Sequence, residues 1–390
     1  MTTIPADQLN SCLACGGKNL KTSLDFGHQP LANAFQKEPK AGDKFPLAVN
    51  YCQECSHVQL TAIVSREAIF TDYIYVSGTS RTLQKDFSDF ASQLTDKHGP
   101  GRVLDIACND GSQLDEFKIR GWETFGIDPA ENLHPISSKN HNVSMGFLSD
   151  NHPSDLGQFD VVIAQNVVAH TANPLEFLSI ASRFGGTLYV QTSQADMISN
   201  FQFDTIYHEH VSFFSETSFA TLANRANLEL VDISKRGIHG GSYLFELRRQ
   251  EAPILDVPKL KLGFVSEESM SLFTENSWKI LHELKDLIYT LRKNGHRVVG
   301  YGAAAKAMTI LSVADIQLDY IIDDSPHKQG LWTPCGGTPI YSIQALQVED
   351  QEIYLIPLAW NFAEEILARV KAVFPLEVKV ITYFPKVSVS

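Results

Sequence analysis

The sequence predicts an α/β protein in three parts, and three observations predict it. The first is a strand–turn–helix unit at the centre of the chain, Val103-Leu-Asp-Ile-Ala-Cys-Asn-Asp-Gly111. A buried strand from Arg102 to Ala107 enters a tight loop that ends at Gly111, and Leu114 and Phe117 share one face of the helix that follows. The second is a repeat of that device near Arg297–Lys306, after a long helical stretch. The third is a pair of C-x-x-C sequences, Cys12/Cys15 and Cys52/Cys55, gathered at one end. Residues 1–75 are read as a small metal-binding module, 76–250 as a Rossmann-like core and 251–390 as a smaller Rossmann-like α/β domain.

Composition narrows the classes. A chain of 390 residues, 44% hydrophobic and 20% charged, has the make-up of an ordinary globular protein with room for two or three domains. No run of eighteen apolar residues occurs, so no membrane span is expected. The start, Met-Thr-Thr-Ile-Pro-Ala-Asp, lacks the basic and apolar regions of a secretory signal, which points to the cytoplasm. A formal net charge of −13 argues against a nucleic-acid partner. It leaves room for a local basic pocket that takes a nucleoside diphosphate.

In the first part, Cys12-Leu-Ala-Cys15-Gly-Gly and Cys52-Gln-Glu-Cys55-Ser-His57 each read as a knuckle that aims two thiolates at one ion. Four thiolates close a tetrahedral Zn2+ shell with no open position, so the metal is structural. The long gap between knuckles is expected to carry a hairpin of its own. His57 is expected at the surface or behind the ligands. The stretch Leu24–Phe35 is polar and reads as irregular, and Asn33 is among its groups able to touch a substrate. Tyr75 falls in Asp72–Ser80 at the junction with the second part, and domain junctions are common ligand sites. Plain loop packing accounts for these segments equally well.

In the second part, a helix from about Ser80 to His98 precedes the central strand. Further strands follow at Thr124–Ile127, Val161–Asn166, Thr187–Gln191, Leu228–Ile233 and Tyr243–Leu247, most of them separated by helical segments. Only His239-Gly240-Gly241 separates the last two, so these should pair antiparallel. Alternating β and α with an antiparallel final pair is the class I methyltransferase order. Ligands in such sheets sit at the carboxyl ends of the strands. A dinucleotide loop wants G-x-G-x-x-G, whereas here Gly111 is the one glycine in Asp105–Gly111. That suits a ligand without phosphate, and Asp105 suits a cationic one: S-adenosylmethionine. Asp128, ending the next strand, can accept both ribose hydroxyls. Asp105, Ala107, Asn109, Gly111 and Asp128 form the expected cofactor site, with Gln165 and Asn166 on the neighbouring strand edge. A β-turn-α unit with no ligand is the plainer alternative.

Phe203-Asp-Thr-Ile-Tyr207-His208-Glu209-His210 concentrates ionisable groups beyond another strand edge. A histidine is the usual base near neutral pH, a carboxylate can orient it, and a tyrosine can donate to an oxyanion. A regular strand would put Tyr207 and Glu209 on one face and His210 on the other, so their joint use requires a turn. His170 adds a second candidate base. A helix should begin after Ser215 as N-cap. A metal site and a packed polar loop are the alternatives for this span. In the third part, Gly300-Tyr-Gly302 with Lys306 in the first helical turn can bind a diphosphate through N–H groups, helix dipole and charge, or can be a structural turn with a solvated lysine.

The combination of a four-cysteine module, a class I core with Tyr-His-Glu-His and a C-terminal Gly-Tyr-Gly-Ala-x-x-Lys resembles the sugar-nucleotide C-methyltransferases over nearly the whole chain. The resemblance implies methylation at C3 of a 4-keto-deoxysugar carried on a nucleoside diphosphate, with dTDP the expected carrier. It implies zinc at the four cysteines and S-adenosylmethionine at the central loop. It places Tyr207, Glu209 and His210 in the active site, with His170 and Tyr75 in its pocket. The Ala-Cys-Asn of the loop departs from the glycine run of many methyltransferases. His210, or Tyr207 as its rival, would take the C3 proton, and Glu209 would hold the His210 tautomer or anchor a hydroxyl. Sugar O-methylation, nucleic-acid methylation by a zinc-ribbon enzyme and non-catalytic sugar-nucleotide binding are the competing functions. A nucleotide sugar is the expected partner, with neither nucleic acid nor membrane expected; a monomer is plausible, and the sequence does not give the oligomeric state.

Overall fold

The computed structural model describes residues 6–65, 69, 81–193, 196–250 and 263–390, and the statements below concern these. The chain forms two compact units. The first comprises Met1–Lys21, Asn50–Asp196 and Val211–Val265; the second comprises Thr22–Val49, Met197–His210 and Ser266–Ser390.

The first unit is built on seven strands: β1 (Arg102–Ile106), β2 (Glu123–Asp128), β3 (Asn142–Met145), β4 (Val161–Gln165), β5 (Thr187–Ser193), β6 (Leu228–Arg236) and β7 (Ser242–Arg249). Their order across the sheet is β3-β2-β1-β4-β5-β7-β6. All pairs are parallel except those of β7, which is antiparallel to β5 and to β6. The central strands β1 and β4 are buried and largely apolar, apart from Arg102, Asp105 and Gln165, because helices cover both faces of a parallel sheet. The expected strands and the antiparallel final pair are present. The strand β3 went unpredicted: Asn-Val-Ser-Met at the sheet edge is half exposed and has no apolar run to betray it.

Helix α1 (Arg81–His98) buries Leu83, Phe87, Phe90, Ala91 and Leu94 at helical spacing. Phe90, Ala91 and Leu94 pack with Val103, Leu114, Phe117, Val161 and Ile163 on one face of the sheet. The loop after β1 and helix α2 (Ser112–Lys118) lie so close to β2 that a Cβ on Gly126 would stand 2.5 Å from Cys108 Sγ and 3.3 Å from the Leu114 side chain. Helix α3 (Glu216–Arg225) starts as predicted, with Ser215 as N-cap and a capping box completed by Ser218. On the other face its Phe219, Leu222 and Ala223 pack with Leu104, Ile106, Val162 and Val190.

The second unit is built on β8 (Arg297–Tyr301), β9 (Tyr320–Ile322), β10 (Ile340–Tyr341), β11 (Ile353–Pro357), β12 (Val378–Thr382) and β13 (Ser388–Val389), ordered β10-β9-β8-β11-β12-β13. It is parallel apart from the edge strand β13. Helix α4 (Glu267–Lys293) carries a Ser266 capping box, acids in its first turn and Arg292 and Lys293 in its last, matching the helix dipole. Helix α5 (Ala305–Val313) follows β8. The long strands Leu20–Pro30 and Lys44–Cys52 fill the gap between the knuckles, as a hairpin there requires. They also correct the reading of Leu24–Phe35 as irregular, since it is strand as far as Pro30. No helix among the described residues is long and apolar enough to cross a membrane.

Candidate active site and metal centre

The two knuckles are wired alike. The N–H of Cys12 donates to the Gly17 carbonyl and that of Gly16 back to Cys12, at 2.7 and 2.8 Å. Cys52 with His57, and Ser56 with Cys52, repeat this at 2.8 and 2.9 Å. Gly16 and Ser56 hold the positive φ that the turn needs. The Gly17 and Cys15 N–H groups donate to Cys15 Sγ and Cys12 Sγ. All four sulfurs lie within 4.8 Å of one another, with Cys12–Cys55 at 3.5 Å and Cys15–Cys52 at 3.6 Å. A tetrahedral ion with Zn–S of about 2.3 Å has S···S edges of about 3.8 Å, so the donor set fits Zn2+. His57 is not at the surface. It is fully buried, 3.3 Å from Ser212 Oγ and against the Phe214 ring, and burial pushes its pKa down to about 3, so it is neutral.

At the central loop, Ala107, Asn109 and Gly111 all adopt positive φ, 67°, 52° and 85°. The backbone of a glycine-rich loop is therefore kept with two of its three left-handed positions filled by larger residues, a strain that clusters at ligand sites. Asp128 Oδ2 accepts from the Asn109 N–H and Oδ1 from the Ala130 N–H, both at 2.8 Å. Each oxygen keeps a second lone pair, enough for a pair of ribose hydroxyls. Asp105 is buried, and burial, with Asp128 and Asp110 nearby, raises its pKa well above the usual carboxylate range. A cation bound there relieves that mutual repulsion. The loop thus fits the ribose and the positive charge of S-adenosylmethionine.

The order of β1 and β4 makes this the switch point of the sheet, where ligands lodge at the carboxyl ends. Gln165 ends β4, and Asn166 turns out of it with φ 54°, its Oδ1 accepting from the Ser193 N–H at 3.1 Å. His170 closes a 3-10 turn just beyond, beside Ala169, whose carbonyl accepts from the Val211 N–H at 2.8 Å.

Tyr207, Glu209, His210 and Asn33 all fall in the second unit. The required turn is present, with the His210 N–H donating to the Tyr207 carbonyl at 2.9 Å. His210 is buried, its Nδ1 2.8 Å from the Thr205 carbonyl and its Nε2 3.0 Å from the Tyr207 hydroxyl. A carbonyl only accepts, so Nδ1 carries the hydrogen, and in the neutral ring Nε2 then carries the lone pair. Both ring nitrogens are thereby accounted for, and Glu209 does not set the tautomer. Glu209 instead accepts from Asn33 Nδ2 at 2.5 Å, and burial pushes its pKa up to about 7. Thr205 escaped the sequence reading because a backbone carbonyl leaves no signature in residue type.

Gly302 takes φ 94°, and a Cβ on it would stand 2.9 Å from Ala359 Cβ. Lys306 lies 5.4 Å from the centre of the Trp360 ring. The Trp360 indole donates to Asp204 Oδ2 at 2.7 Å, and Asp204 precedes the Thr205 that holds His210. Lys306 is thus linked to the His210 turn through Trp360 and Asp204, neither of which the sequence singled out. Tyr75 lies outside the described residues.

Comparisons with known proteins agree with this anatomy. A zinc binding domain family matches residues 12–70, a methyltransferase domain family residues 78–233 and a C-methyltransferase C-terminal domain family residues 238–385. With the sheet order and the loop, these make the chain an S-adenosylmethionine-dependent methyltransferase with a zinc-binding N-terminal segment. Over 386 residues it is 26% identical to the C-methyltransferase NovU of Streptomyces niveus, covering 92% of this chain and 91% of that one. Among solved structures, an S-adenosylmethionine-dependent methyltransferase from Clostridium acetobutylicum is 12% identical, covering 43% of this chain and 92% of its own, with a TM-score of 0.35. The magnesium protoporphyrin IX methyltransferase ChlM of Synechocystis is 14% identical, covering 43% and 79%, with a TM-score of 0.34. At such scores these two add nothing to the strand order.

Proposed function

We propose that this methyltransferase places a methyl group on C3 of a 4-keto-deoxysugar carried on a nucleoside diphosphate, dTDP by expectation, through an enolate formed by His210. The observation that carries the reading is the fixed tautomer of His210, whose Nε2 lone pair is held ready by the Thr205 carbonyl on the far side of the ring. A hydrogen beside a ketone is acidic enough for an imidazole only when the resulting oxyanion has a donor. Nε2 takes the C3 proton, and the C–H electron pair passes into the enolate. Tyr207, released from Nε2 as the sugar enters, donates to O4. Asn33 holds one oxygen of Glu209, leaving the other for a sugar hydroxyl. When bound, S-adenosylmethionine supplies a methyl group already activated on a positive sulfur. Asp105, Asp128, Gln165, Asn166 and the backbone of Ala107–Gly111 hold that cofactor and orient it. Gly302 and Lys306 hold the diphosphate, and His170 borders the cofactor edge of the first unit.

The test is the product formed from a dTDP-4-keto-6-deoxysugar and S-adenosylmethionine labelled with 13C in the methyl group. The reading expects the labelled methyl bonded to C3. A methyl on oxygen selects sugar O-methylation, and no reaction with any nucleotide-linked keto sugar removes the substrate class. If His210 is the base, Tyr207→Phe should lose less rate than His210→Asn; the reverse order makes Tyr207 the base.

A further inference from the structure

Gln191 is fully buried, and among the described residues neither atom of its side-chain amide has a hydrogen-bond partner. The fold gives this no purpose, because a leucine there would leave nothing unsatisfied. Its place in the sheet says what the amide faces. In the parallel pairing of β4 and β5, Gln191 stands directly opposite Gln165, whose Nε2 is also buried without a partner. Partners in register leave the same face of a sheet, from strands about 4.8 Å apart. Asp105 on β1 is paired with Ile163, two residues before Gln165 on β4, so its carboxylate leaves that same face. The Asn166 N–H is already satisfied by the Gln191 carbonyl at 2.8 Å, which leaves the Gln191 amide and the Gln165 Nε2 as the uncommitted groups of this pair among the described residues.

We propose that Gln191, with Gln165 beside it, binds the amino-acid end of S-adenosylmethionine at the carboxyl edge of β4 and β5. An α-ammonium and an α-carboxylate side by side are complementary to this floor. The glutamine NH2 groups donate to the carboxylate, and the Gln191 carbonyl oxygen and Asp105 accept from the ammonium. Adenine and ribose offer no such pairing of charges, and Asp128 already serves the ribose. The inference rests on the methyltransferase assignment and on nothing about the sugar.

The test is titration calorimetry of the zinc-loaded full chain without any sugar, using S-adenosylmethionine and 5′-deoxy-5′-methylthioadenosine, which lacks the amino-acid end. Hydrogen bonds to charged groups predict that Gln191→Leu weakens S-adenosylmethionine on the order of ten- to a hundredfold. Methylthioadenosine should bind the variant as it binds the wild type. The melting temperature of the ligand-free variant should match or exceed that of the wild type, since an unsatisfied amide has been removed. Unchanged affinity for S-adenosylmethionine overturns the proposal and leaves Gln191 to a buried water. Equal losses for both ligands overturn the assignment to the amino-acid end, and a large fall in melting temperature makes the role structural. Gln191→Glu is the second variant: a carboxylate that repels that of the ligand should weaken S-adenosylmethionine and spare methylthioadenosine, and failure to discriminate also overturns the proposal.

Discussion

The loop after β1 in the first unit and the loop after β8 in the second share their backbone wiring. In each, the residue that leaves the strand, Ala107 or Gly302, donates its N–H to the last apolar residue of the neighbouring strand, Ile127 or Ile322, at 2.7 Å. In each, the acid that follows that isoleucine holds the loop: Asp128 accepts from Asn109 at 2.8 Å and Asp323 from Ala303 at 2.7 Å. Each acid also accepts from the residue two further on, Ala130 or Ser325. Beyond these two acids the charged side chains beside the loops differ, with further carboxylates at the first and two lysines at the second. Asp105 and Asp110 accompany the first. Lys306 lies in the first turn of the helix beyond the second, and Lys328 donates to the Ala303 carbonyl at 2.9 Å. On the proposed function, the one backbone device faces a cation in the first unit and an anion in the second. Side chains outside the turn decide which.

This contrast separates binding from chemistry, and the variants that test it fall in order of expected effect. His210→Asn removes the proposed base and touches neither loop. Turnover should drop roughly 10²–10⁴-fold while the Kd for S-adenosylmethionine and for dTDP stays within experimental error; a shifted Kd would show that the turn also shapes a binding loop. Asp105→Asn and Lys306→Ala should give a crossed pattern. The first should lose about tenfold or more in affinity for S-adenosylmethionine and keep dTDP, and the second the converse, each measured by calorimetry. Loss of both ligands in either variant breaks the contrast.

Glu209 adds a pH dependence. Its folded pKa of about 7 lies above its ordinary value because of burial. The stability that comes from keeping this proton is complete below the unfolded pKa and is lost as pH rises through about 7. Glu209→Gln should therefore raise the melting temperature relative to wild type more at pH 8 than at pH 5; a constant difference would mean that Glu209 is not buried as a carboxyl. The smallest effect belongs to Ala107→Gly, which relieves a left-handed alanine. A gain of about 2 °C in melting temperature with unchanged cofactor affinity is expected from the balance of strain relief and backbone entropy. A loss of stability would show that Ala107 packs against something the loop needs.

Much of this was legible in the sequence wherever residue type dictates geometry. The C-x-x-C pairs, the capping serine at Ser215 and the largely apolar cores of β1, β4 and β5 each have one economical reading. The loop was harder, because Ala107 and Asn109 hide a backbone that glycines would have announced. What stayed invisible were relations that depend on distant chain segments meeting: the Thr205 carbonyl behind His210, the Trp360 indole on Asp204, and the pairing of Asn33 with Glu209. The membership of Thr22–Val49 and Met197–His210 in the second unit was likewise hidden, because unit boundaries that cross the chain several times leave no mark in local composition. Gln191 was partly visible. A polar residue that shares a strand face with Tyr189, in a strand read as buried, is an anomaly that alternation alone can flag.

Proton abstraction ahead of methyl transfer is the step on which the account turns, and it can be watched alone. A dTDP-4-keto-6-deoxysugar incubated with the enzyme in D2O, with no methyl donor, should exchange its C3 hydrogen for deuterium by NMR, and the His210→Asn enzyme should leave that hydrogen in place. Exchange at the same rate in both enzymes, or none in a wild-type enzyme that still methylates the sugar, would contradict an enolate made by His210.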